Sequence, residues 1–119
     1  MSGPFPPATI GVVEDDEGVR RALGRLLRAT GYAVRTYGSA EEFLATGRTA
    51  PIDCLVLDVY LGAMNGFELH AELVEAGWAP PTVFVTAHDE PVGDRICLRK
   101  PFDDGALLDT IAGLIRSPV

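Results

Sequence analysis

Four short runs rich in β-branched and apolar residues, TIGVV (9–13), AVRTY (33–37), CLVLD (54–58) and TVFVT (82–86), recur along the chain, and each is followed by a different kind of segment. Between the first four lie stretches in which apolar residues return with helical spacing. Strand and helix in alternation is the pattern of a parallel sheet with helices on both faces, because a parallel neighbour is reached only through a crossover. The cores of the third and fourth runs, LVL and VFV, show no polar alternation, as expected of strands buried on both faces. A weaker run, ICLR (96–99), supplies a fifth strand. The expected architecture is therefore a five-stranded, doubly wound α/β domain.

The helical segments have identifiable ends. From Glu17 to Thr30, Val19, Leu23, Leu26 and Leu27 form one face, and Gly31 is a natural stop. In GSAEEFLA, Ser39 is placed as an N-cap with Glu42 three residues on, which predicts a capping box. GFELHAELVEAG offers Phe67, Leu69, Leu73 and Val74 to the core and ends at Gly77. GALLDTIAGLIR offers Leu107, Leu108, Ile111, Leu114 and Ile115.

A chain of 119 residues with 47% hydrophobic and 23% charged residues is one domain able to bury a core. No apolar stretch reaches the roughly eighteen residues of a membrane span, and the opening MSGPFPPA lacks the basic and apolar regions of a signal peptide. Its three prolines predict a flexible tail over residues 1–8, ahead of a domain spanning 9–117. Cys54 and Cys97 sit singly in apolar runs, as reduced packing residues do, so a cytoplasmic location is expected. The net charge of −7 argues against nucleic acid as a partner of this domain, though not against a cation or a protein.

In doubly wound sheets ligands bind beyond the carboxyl ends of the strands. That rule gathers the polar residues. Glu14 and Asp15 follow the first strand, Asp58 ends the third, Thr86 ends the fourth and Lys100 follows the fifth. Three carboxylates and one ammonium leave two negative charges, which a divalent cation would cancel. Each charge pair at about 4 Å is worth roughly 4 kcal/mol at an effective dielectric of about 20, so the cluster without a counter-ion raises a pKa. Oxygen-only donors in small number suit Mg²⁺. Asp16 and Glu17 are better placed to serve the start of the first helix. His70 and His88 have no partners in sequence that would make either catalytic.

VVEDDEGVRRAL, CLVLDVYLGAMNGFEL, FVTAH and LRKPF, in that order at strand ends, resemble the receiver domain of two-component response regulators over nearly the whole chain after residue 8. The resemblance implies a flavodoxin-like sheet of order 2-1-3-4-5. It implies transfer of a phosphoryl group from a phosphohistidine, on a sensor histidine kinase or a histidine phosphotransfer protein, to an aspartate. Carried over by position, Asp58 is the phosphoacceptor and Glu14 and Asp15 are the acidic pair, Asp15 being the direct Mg²⁺ ligand of the two. The backbone carbonyl of Tyr60 is a further ligand, while Thr86 and Lys100 meet phosphoryl oxygens. A second copy of the domain is a further potential partner. Two rival classes share parts of this pattern. A pseudo-receiver would use the same domain only to bind protein. A magnesium phosphohydrolase of the haloacid-dehalogenase kind would carry a second acid two residues after the nucleophile, where Tyr60 stands. The chain ends at IRSPV, close after the last helix, which fits either a stand-alone receiver or the receiver part of a longer regulator.

Three departures from the family stand out. Gly62 occupies a position where proline is usual after the phosphorylation site. Cys97 replaces the aromatic residue three before the lysine that normally signals phosphorylation. Only nine residues, Ala87 to Arg95, link the fourth and fifth strands, against nineteen (14–32) between the first two. They include Pro91 and Gly93 and a single large apolar residue, Val92, too little to dock a helix. The family's fourth helix is therefore expected to be absent or reduced to about a turn. The linking segment is expected to be mobile until phosphorylation draws it in, and the fifth strand more exposed. Arg21, Arg25 and Arg28 recur at helical spacing on the first helix and are expected on its outer face, where they would steer an acidic kinase surface.

Overall fold

The computed structural model describes residues 7–47, 51–88 and 92–116. In chain order these form β1 (Thr9–Val13), α1 (Glu17–Thr30), β2 (Ala33–Tyr37), α2 (Ala40–Thr46), β3 (Cys54–Asp58), α3 (Gly66–Ala76), β4 (Thr82–Thr86), β5 (Cys97–Arg99) and α4 (Asp104–Arg116). All neighbouring strands pair in parallel, in the order β2-β1-β3-β4-β5. The switch point between β1 and β3 is where a doubly wound sheet opens a crevice. Most of the proposed N-terminal tail, residues 1–6, lies outside the described residues, as does residue 117. The Ala8 carbonyl already accepts the Ala33 N–H at 3.0 Å, so pairing with the sheet begins just ahead of β1.

Two apolar layers sandwich the sheet. On one side Phe43, Leu55, Leu57, Leu69, Leu73 and Phe84 pack beneath α2 and α3. On the other, Ile10, Val12, Leu23, Leu27, Val83 and Ile111 pack beneath α1 and α4. β3 is buried along its whole length, which leaves its C-terminal carboxylate at the rim as its one charged group.

Local chemistry explains the helix ends. The Asp16 side chain accepts the Val19 N–H at 2.9 Å and starts α1, the role expected of it. Gly31 and Gly77 close α1 and α3 as expected. The capping box at Ser39 is only half formed. Ser39 accepts from the Glu42 N–H, but the Glu42 carboxylate reaches back to the N–H of Gly38 instead of Ser39. A complete box occurs at α3, where Asn65 and Glu68 bond reciprocally at 2.8 and 2.9 Å.

The connection between β4 and β5 has no helix among its described residues; residues 89–91 lie outside them. β5 is three residues long and begins at Cys97, so Ile96 falls before it and is 45% exposed. On α3, Gly66, Leu69 and Leu73 face the core, and Val74, expected there, is instead 57% exposed. Val74 belongs to the next row around the helix, with Phe67 and His70. That row turns toward β4, where Phe67 and His70 meet the ring of Phe84 edge-on at 4.9 and 5.3 Å. The Arg95 guanidinium, just before β5, lies 4.2 Å over the Phe67 ring and shields part of this row.

Candidate functional site

The strand register brings the polar residues together. Val13 of β1 is level with Leu57 of β3, so Glu14, one residue on, stands beside Asp58. Asp58 pairs with Val85, and Thr86 pairs with Arg99, so Thr86 and Lys100 end the next two strands at the same height. Lys100 is tied to the rim by its own N–H, which donates to the Thr86 carbonyl at 2.7 Å.

Glu14, Asp58 and Thr86 are the buried polar or charged residues of the described chain. The Lys100 ammonium donates to Glu14 Oε1 at 2.8 Å and to Asp58 Oδ2 at 3.5 Å. The other oxygens are held by backbone: Glu14 Oε2 accepts the Asp16 N–H, and Asp58 Oδ1 accepts the Tyr60 N–H, both at 3.2 Å. Asp15 is exposed beside them, and one carboxylate oxygen from each of Glu14, Asp15 and Asp58 fits within 4.8 Å of the other two. Burial pushes the Glu14 carboxyl above its ordinary value; Lys100 pulls it back, and the neighbouring Asp58 pushes it up again. Burial acts on the Lys100 ammonium in the opposite sense, but the combined pull of Glu14 and Asp58 prevails and its pKa is raised. One ammonium therefore leaves this carboxylate cluster under-neutralised.

The walls are also specific. The Gly66 N–H donates to the Val59 carbonyl at 2.7 Å, and a Cβ at Gly66 would collide with the Asp58 carbonyl. Only glycine lets α3 start this close to the acceptor strand. Gly62 has φ 84°, which proline, fixed near −65°, cannot adopt, so the loop follows a different path at the position where the family usually places proline. Tyr60, two residues after Asp58, is 43% exposed and packs its ring against His88 at 4.4 Å. His88, two residues after Thr86, donates its backbone N–H to Thr86 Oγ1 at 3.1 Å.

All the residues singled out in the sequence thus meet at one rim: Glu14, Asp15, Asp58, Tyr60, Thr86 and Lys100. The part of His88 was not legible beforehand. The usable signal was its offset, since residues two beyond the ends of adjacent parallel strands leave the sheet side by side. Arg20, one of two nearby cations in sequence, donates to the Glu14 backbone carbonyl at 2.9 Å and not to a carboxylate. Arg21 pairs with Glu17 at 3.6 Å on the surface.

The family model described as "Response regulator receiver domain" matches residues 10–112. The chain belongs to the response regulator receiver family. Nodulation protein W of Bradyrhizobium diazoefficiens is 38% identical over 112 residues, covering 87% of this chain and 49% of that protein. Among solved structures, the response regulator StyR superposes with a TM-score of 0.86 at 39% identity, over 92% of this chain and 60% of that one. FixJ-N superposes with a TM-score of 0.85 at 28% identity, over 97% and 98% of the two chains. The receiver spans about half the length of the curated relatives it matches. Among its described residues no helix is long and apolar enough to cross a membrane.

Proposed function

We propose that this receiver accepts a phosphoryl group on Asp58 from the phosphohistidine of a sensor histidine kinase or histidine phosphotransfer protein. The observation that carries the reading is the shared ammonium of Lys100, placed between buried Glu14 and Asp58. The domain responsible would be residues 9–117, acting in the cytoplasm as a signalling component and catalysing its own phosphorylation and hydrolysis. It would serve no separate substrate and no nucleic acid.

The all-oxygen cluster, under-neutralised and open at Asp15, fits a hard divalent cation. Asp15 and Asp58, with the Tyr60 backbone carbonyl, would hold Mg²⁺, and Glu14 would complete the negative field around it. When bound, the ion supplies the positive charge that lets a phosphoryl group approach three carboxylates. The remaining work falls to the chain. An Asp58 carboxylate oxygen attacks phosphorus, its bond to phosphorus forms as the phosphorus–nitrogen bond breaks, and the electron pair returns to the donor imidazole. Lys100 would move from shared contact with Glu14 and Asp58 to a phosphoryl oxygen. The Thr86 hydroxyl, whose oxygen already accepts from His88, has its proton free to donate to another. Positioning and charge compensation are the main demands of phosphoryl transfer, and they are what these residues can provide.

Calorimetry with beryllofluoride and Mg²⁺ separates the alternatives. A receiver binds beryllofluoride only with the metal and loses it in Asp58→Asn. A pseudo-receiver gives no heat, and a phosphohydrolase would also turn over a phosphate monoester catalytically.

A further inference from the structure

Four of the ten basic residues of this acidic chain line one cleft away from the carboxylate rim. Arg20, Arg21, Arg25 and Arg28 of α1, together with Thr36 of β2, enclose about 350 Å³ between the helix and the edge strand. Arg21, Arg25 and Arg28 are exposed, as expected of an outer face, yet with Arg20 they enclose a hollow. Among the described residues no acidic side chain lines it. The surface pair of Arg21 with Glu17 is the ion pair these four arginines make among the described residues.

Gly24 shapes the cleft by leaving room for the Arg28 guanidinium, which lines it. Arg20, Gly24 and Arg28 fall four residues apart, in one row on the β2 side of α1, and the middle member has no side chain. A Cβ there would meet Arg28 Nη1 at 3.0 Å and the Thr36 methyl at 3.7 Å, so its nearest neighbours are side-chain atoms, the first of them the end of a flexible arginine. Helix–sheet packing therefore does not demand the glycine, which is a poor helix former. Its effect is to let the Arg28 guanidinium fold back over the helix. Arg20 is fixed at the other end by the Glu14 carbonyl. Arg20 is thus held by a hydrogen bond, the Arg28 guanidinium lies over Gly24, and both line the cleft with Thr36.

From this arrangement we infer that the α1–β2 cleft is a binding site for a small oligophosphate, a ligand carrying two or more linked phosphates. Guanidinium forks match phosphate oxygens in pairs, and pre-set donors lose little entropy on binding. The volume lies in the range of small-ligand pockets. An extended nucleic acid would meet the −7 charge of the rest of the domain, and a flat acidic protein face would not use a recessed floor. This site does not depend on phosphorylation of Asp58.

The test uses tripolyphosphate as probe at low salt in divalent-free buffer, followed by calorimetry and by backbone amide shifts. Saturable one-to-one binding, with shifts at residues 20–28 and Thr36, is expected. Arg25→Glu with Arg28→Glu should weaken it by about tenfold or more, the usual cost of losing charge-assisted hydrogen bonds. Gly24→Ala should weaken it several-fold without lowering Tm, since the added methyl pushes the Arg28 guanidinium from its place while alanine favours the helix. Arg35→Glu, on β2 but outside the cleft lining, should change it little. Absence of saturation, shifts confined to Glu14, Asp58 and Thr86, or an equal loss in Arg35→Glu would each overturn the inference. Tighter binding of a glutamate decapeptide than of tripolyphosphate would overturn it in favour of an acidic protein partner.

Discussion

Lys100 sits between two buried carboxylates, and the shifts of Glu14 and Lys100 govern how the rim responds to pH. Glu14 has a folded pKa above its ordinary 4.5. Between these two values the folded chain keeps a proton that the unfolded chain has lost, so acidification through that window stabilises the fold through Glu14. The gain is complete below 4.5 and absent above the raised folded value. Lys100 follows the same sign at the alkaline end: its raised pKa stabilises the fold below 10.5, and that contribution is lost as pH rises through the folded value. A cation competes with the Glu14 proton, so Mg²⁺ affinity measured by titration should fall as pH drops through the raised pKa of Glu14. A pH-independent affinity from neutral down to about 4.5 would contradict this. Gly66 permits a sharper test, because its missing side chain is what lets α3 start against the Asp58 carbonyl. Gly66→Ala should cost about 1–3 kcal/mol in denaturant unfolding through overpacking. It should also slow phosphorylation by displacing Asp58.

At the scale of elements, α3 shows which contacts matter. Leu73 is fully buried while its neighbour Val74 is 57% exposed. Leu73→Ala should cost about 2–5 kcal/mol, and Val74→Ala about 0.5 kcal/mol or less. Comparable losses in urea unfolding would contradict the assignment of faces. The sequence placed both residues in one apolar stripe, because spacing alone cannot say how many rows a neighbouring element will cover. The same limit applied at Ser39, where the spacing to Glu42 was right but the carboxylate found the Gly38 N–H. The strands were legible almost residue by residue, since runs buried on both faces carry an unbroken apolar signal. That the described residues between β4 and β5 hold no helix was legible from length and from Pro91 and Gly93, but the contact made in its place was not. Nothing in local spacing announces that Arg95 will lie over Phe67. Amide exchange at residues 92–96 should slow when beryllofluoride and Mg²⁺ are added, as Thr86 turns to the phosphoryl mimic. Unchanged exchange there would dissociate this segment from the site.

The whole domain unites two apolar layers through one sheet whose rim collects more negative charge than it neutralises. Because both layers share β1, β3 and β4, thermal unfolding should be a single transition. Mg²⁺ should raise its midpoint, by an amount corresponding to about 2.7 kcal/mol at a hundredfold excess over Kd, and should not do so in Asp15→Asn with Asp58→Asn. The rim was readable before the fold because doubly wound topology sends every strand's C-terminus to one edge; the individual bonds required register. The central claim is that Asp58 is the nucleophile of a metal-dependent phosphoryl transfer. Incubation with acetyl phosphate, followed by intact-mass and peptide mass spectrometry, tests it most directly. The wild-type chain should gain one phosphoryl group, on the peptide containing Asp58, with Mg²⁺ and not with a chelator, and Asp58→Asn should gain none. Full phosphorylation of Asp58→Asn at another residue, or equal phosphorylation of the wild type without metal, would contradict it.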